Sequence, residues 1–125
     1  MKPWTAFGLW KAEDIPWDRF DRSRLDADLV SLIKAASMVE TNAPVYATYL
    51  CNVFHEYPDV QKLARTWAEE EVRHGQALGR WAMLADPDFD FETSFKRFTD
   101  SFQVPVDLSQ SVRGSLTGEV LARCV

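Results

Sequence analysis

The sequence predicts an all-α fold, and three observations carry that expectation. Residues 27–56 and 58–85 each place apolar side chains on one arc when turned at about 100° per residue. Helix-breaking signals, Pro58 in "HEYPD" and the "DPD" at 86–88, bound the second stretch. A third helical pattern begins near "PVDLSQSV", where Asp107 can cap it. A chain of 125 residues suits one domain with a modest core, and a 46% hydrophobic share with five Trp and eight Phe is enough to build it.

Taken in order, residues 1–25 carry three Trp, two Phe and two Pro without a sustained period, which reads as an ordered arm on the outside of a bundle. Helix 1 is expected over 27–56, with Leu29, Leu32, Ile33, Ala36, Ala43, Ala47, Leu50, Cys51 and Phe54 on its apolar face and Glu40 at the middle of that face. Pro44 removes one helical hydrogen bond and predicts a kink about one turn after Glu40. Helix 2 is expected over 58–85, a crossover over 86–106 and helix 3 over 107–125. Within the crossover, Phe91, Phe95, Phe98 and Phe102 recur at three- and four-residue spacing, as on a short helix packed outside the bundle.

Several function classes are disfavoured. The net charge is −5 and the Lys and Arg residues are scattered, so no nucleic-acid partner is expected. No apolar run of about 18 residues and no signal segment is present, so no membrane partner is expected and a cytoplasmic location is the default reading. Cys51 and Cys124 are too few for a disulfide framework and read as reduced, small hydrophobes. Neither a phosphate-binding glycine loop nor a Ser-His-Asp order is found.

The chemistry-bearing stretch is "AEEEVRHGQAL". In helix 2, Val60, Leu63, Ala64, Trp67, Leu78, Trp81, Ala82 and Ala85 form a stripe whose central gap is filled by Glu71 and His74, with Glu69 opposite and Glu70 at the edge. Burying a carboxylate beside an imidazole costs several kcal/mol unless something replaces the lost hydration. A metal ion is one such compensator; a plain Glu–His hydrogen bond or a polar seam reaching water are the others. Glu-x-x-His brings both side chains to one ion, and an oxygen with a nitrogen ligand suits iron, manganese or zinc. Glu40, among the small residues Ala36, Ser37, Ala43 and Ala47, holds the matching place on helix 1.

With these residues the chain resembles the ferritin-like di-iron carboxylate proteins, which include acyl-carrier-protein desaturases and ribonucleotide reductase small subunits. The resemblance implies a ferritin-like helical bundle with antiparallel long helices and a long crossover between the second and third. It places Glu40 as the lone glutamate of helix 1 and Glu71 with His74 as the first Glu-x-x-His. Glu119, on the arc of Leu108, Val112 and Leu116, matches the lone glutamate of helix 3, although a surface pair with Arg123 competes. The second Glu-x-x-His has no counterpart, so the bundle reads as incomplete in this chain. Three accounts stand: a fragment of a longer protein, which the apolar ending "LARCV" favours; two chains completing one bundle, as in a homo-oligomer such as a dimer; or a mononuclear site.

The resemblance further implies two iron ions, or iron with manganese, held by Glu40, Glu71, His74 and Glu119, with dioxygen as a partner. The expected activity is that of an oxidase or oxygenase acting on a small apolar or amine-bearing molecule. The alternatives are a ferroxidase or iron-storage protein and a helical interaction module without metal. His55 is expected to meet the last carbonyls of helix 1, Tyr46 and Tyr49 to sit at a helix seam, and Trp67 to wall the site.

Overall fold

The computed structural model describes residues 10–104, 111, 115, 116, 118 and 119. Among them every regular element is helical. Asp26 starts α1 (Ala27–Thr41) by accepting the Leu29 N–H at 3.0 Å. The Asn42 N–H bonds back to the Met38 and Val39 carbonyls at 3.1 and 3.2 Å and closes the helix. A new helix, α2 (Ala43–Val53), begins immediately with Pro44 in its first turn, where a missing N–H goes unnoticed. The single kinked helix expected over 27–56 is therefore two helices broken at Asn42. α3 spans Pro58–Ala85, the range expected from its flanking signals. α4 (Phe91–Ser101) is capped by Asp90, which accepts the Thr93 N–H at 3.2 Å.

Cross-links between the helices run antiparallel. The Gln61 amide reaches the Cys51 carbonyl at 2.9 Å, Gly75 lies against Ser37 and Thr41, and Lys34 bonds Asp86 at 2.6 Å, so α1 and α2 together run against the whole of α3. Tyr49, Leu50 and Val53 of α2 and Phe54 just after it form the main core with Ala64, joined by Trp67, Val104 and Leu116. Farther along, α1 crosses α3 at near-backbone distance. A Cβ placed on Gly75 would lie 2.1 Å from Thr41 Oγ1, 2.7 Å from the Thr41 nitrogen and 3.0 Å from the Ser37 carbonyl oxygen.

That crossing corrects the expected phase of both helices. The buried side of α3 follows Ala64, Ala68, Gly75, Gly79, Ala82 and Ala85, while Leu63, placed on the apolar stripe, is exposed. On α1 the buried residue is Ser37, and Leu29, Leu32 and Val39 face outward. Close approach of two backbones selects the small side chains for the contact and turns the large ones aside. Glu71 and His74 consequently lie on the flank of the buried face rather than at its centre.

The arm and α4 flank α3. Phe91 fills the space over Gly79, and the stacked pairs Phe91–Phe95, Phe95–Phe98 and Phe98–Phe102 continue along α4. The arm, containing the single turns Ala12–Asp14, Trp17–Arg19 and Arg22–Arg24, follows the second half of α3. Of the helix expected over 107–125, Leu116, Gly118 and Glu119 are described and helical. Asp107, Leu108, Val112, Arg123 and Cys124 lie outside the described residues. No helix among the described residues is long and apolar enough to cross a membrane.

Candidate metal centre

The α1–α3 crossing brings the candidate ligands together. Glu40 precedes Thr41, His74 precedes Gly75, and Glu71 lies one turn before His74, so residues adjoining the tightest contact meet at its rim. His74 Nδ1 is 3.5 Å from Glu71 Oε1 and 3.7 Å from Glu40 Oε2, and the three side chains can place one donor atom each within 4.8 Å of one another. Donors bound to one ion at about 2.1 Å stand roughly 3–4 Å apart, a range that the two His74–carboxylate distances meet.

Electrostatics at the cluster point the same way. The Glu40 carboxyl is pushed above its ordinary value, chiefly by partial burial and then by repulsion from Glu71, with His74 pulling in the opposite direction. Two carboxylates held together in a half-buried seam create a local demand for positive charge, which a cation or the imidazolium of His74 can meet. His74 is the most open member, its side chain 42% exposed against 29% for Glu40 and 21% for Glu71. The cost of complete burial expected for this group is therefore not incurred.

Glu119 is not part of this trio. It is 1% exposed, and its Oε1 accepts hydrogen bonds from the Tyr49 hydroxyl and from Ser111 Oγ, the latter at 2.7 Å. These bonds belong to a buried network between α2 and the third-helix region. Tyr49 was legible as a buried tyrosine at a seam; its partner was not, because the pairing spans 70 residues.

The remaining candidates are ordinary neighbours. Tyr46 packs edge-on to Tyr49 at 5.8 Å. His55 Nδ1 lies 3.1 Å from the Asn52 carbonyl oxygen at the end of α2, as expected of a residue meeting the last carbonyls. Trp67 packs against both core clusters of α2 and α3. Cys51 is free and half-buried. Glu70 pairs with Arg73, and Glu69 is exposed beside a groove of about 670 Å³ that none of Glu40, Glu71 and His74 lines.

No protein-family model matches the chain, and no curated protein and no solved structure shows significant similarity to it. Fold and site together define an all-helical protein carrying a Glu–Glu–His cluster that can accept a cation.

Proposed function

We propose that this chain is a ferritin-like metalloprotein, an oxidase or oxygenase of the di-iron carboxylate kind, in which Glu40, Glu71 and His74 hold iron or manganese. The observation that supports this reading is the convergence of two carboxylates and an imidazole nitrogen, from two helices, within 4.8 Å. A carboxylate-rich set with one nitrogen suits iron and manganese, and hard oxygen donors stabilise their oxidised states. Bound iron supplies the electrons that reduce dioxygen. The chain's own part is positional: Glu40 and Glu71 bind as ionised carboxylates, and His74 offers the Nδ1 lone pair while its proton resides on Nε2. Three donors leave coordination positions open. The two ions of the resemblance take about three protein ligands more than this trio provides.

The openness of His74 favours a second reading, a ferroxidase in which iron is itself the substrate and enters directly from solvent. Reconstitution with ferrous iron followed by exposure to oxygen tests both. The expected outcome is close to two ions per complete bundle, with oxidised-iron absorbance abolished by Glu40→Ala or Glu71→Ala and unchanged by Glu69→Ala. A metal content near zero removes both readings. Continued iron uptake into a large assembly selects the ferroxidase.

A further inference from the structure

The metal reading leaves one neighbour of the cluster without a role. The Trp10 indole lies parallel to the His74 imidazole, at 5.8 Å between centroids and 14° between planes, within the range of a favourable offset stack. The position of Trp10 is supported by the arm behind it. Trp17 donates from Nε1 to the Ala12 carbonyl at 2.7 Å and lies under the Arg80 guanidinium at 4.7 Å. Phe20 meets Trp81 edge-on at 5.7 Å, and Arg22 donates to the Leu84 carbonyl at 2.7 Å. Arm residues 10, 17, 20 and 22 thus meet α3 residues 74, 80, 81 and 84 in the same order, so the arm runs parallel to α3.

His74 needs such support. Its side chain is the most exposed of the trio, and rotation about its Cβ–Cγ bond would carry Nδ1 away from both carboxylates. A flat ring against one face of the imidazole restricts that rotation and leaves the Nδ1 edge free. Resting on the metal reading above, we infer that Trp10 is a positioning residue for the metal ligand His74: the N-terminal arm fixes the plane of the imidazole so that Nδ1 stays aimed at the site shared with Glu40 and Glu71. Removing a group that orients a ligand typically lowers metal affinity by about 10- to 100-fold.

Calorimetric titration of metal-free protein with Mn²⁺ and Co²⁺, on wild type and on Trp10→Ala, Trp10→Leu and Trp10→Phe, reads the effect directly. NMR of the His74 ring protons in the same metal-free samples reads the stack without any metal. The expected result is an upfield ring-current shift in wild type that Trp10→Ala and Trp10→Leu abolish, with metal affinity about tenfold weaker in both and restored to within about twofold by Trp10→Phe. Trp10→Leu keeps an apolar cover but no flat ring, so wild-type affinity in that variant overturns the inference, as does unchanged affinity in Trp10→Ala. Absence of metal binding by wild type sinks the metal reading and this inference together. Wild-type binding that is indifferent to Trp10 sinks this inference alone.

Discussion

The two halves of α3 are packed by opposite means. Toward its start the contact is made by large side chains: Tyr49, Leu50 and Val53 of α2 and Phe54 just after it close over Ala64 with Trp67 beside them. Toward its middle the contact is made almost without side chains, Gly75 lying against the Thr41 and Ser37 backbone. The first kind of contact buries apolar area and tolerates exchange of similar shapes; the second fixes the separation of two backbones and tolerates very little. The cluster sits on the second kind. Its donor spacing is set by the approach of α1 to α3, so the residue that determines the width of the site is a glycine with no chemistry of its own.

The largest effect is expected from Gly75→Ala. Its Cβ would stand 2.7 Å from a backbone nitrogen, which only movement of α1 can relieve. The expected loss is about 3 kcal/mol, on the order of 10 °C in melting temperature, together with weakened metal binding. Gly79→Ala, one turn on, meets the Phe91 ring at 3.2 Å, a side chain that can shift, and should cost less than about 1.5 kcal/mol with metal affinity retained. Equal effects at the two glycines in thermal melts would show that backbone approach at Gly75 does not control the site.

An intermediate effect is expected at the side-chain-packed end. Tyr49→Phe keeps the ring but removes one donor to the buried Glu119 carboxylate, which should cost about 1–3 kcal/mol by urea denaturation and leave metal affinity unchanged. A loss of metal affinity there would tie Glu119 to the site after all.

The smallest effect sharpens the electrostatic side. Because the Glu40 carboxyl is raised in the folded state, metal-free protein holds that proton more tightly than the unfolded chain. Its contribution is present below the ordinary value of 4.5 and is lost as pH rises through the raised folded value. Glu40→Gln should therefore match wild type near pH 4 and melt on the order of 1 °C higher at pH 7 without metal, while binding metal far more weakly. A metal-free melting curve at pH 7 lower than that of wild type contradicts this assignment.

Helix limits were legible where a residue forbids or caps a helix, as at Pro58 and the acids around Asp86, whereas Pro44 announced a kink and the chain breaks into two helices at Asn42. The proximity of Glu71 to His74 was legible from their turn spacing, and Glu40 from its matching place on the preceding helix, although the pair on α3 was expected at the centre of the buried face and lies on its flank. The phase of the buried faces was not. Angular reading gives weight to large apolar residues such as Leu32 and Leu63, both exposed, whereas the contact is made by Ser37, Thr41 and Gly75, which carry little apolar signal. A ladder of Ala64, Ala68, Gly75, Gly79 and Ala82 was in plain view as the cue. The stack of Trp10 on His74 and the Glu119–Tyr49 pair join residues far apart in the chain, and no local pattern encodes either.

The break at Asn42 places two helix ends of opposite partial charge beside the cluster. Peptide dipoles in α1 add up along its axis and leave a partial negative charge at the carbonyl end, which the break places at Thr41, one residue beyond Glu40. Had the chain continued unbroken to Val53, that end would lie three turns away, beside the apolar core. Because α2 begins at Ala43, its positive amino end adjoins this negative carbonyl end and offsets it, so the cluster meets a local pair of opposed dipole ends and not the full bias toward cations of an isolated helix terminus.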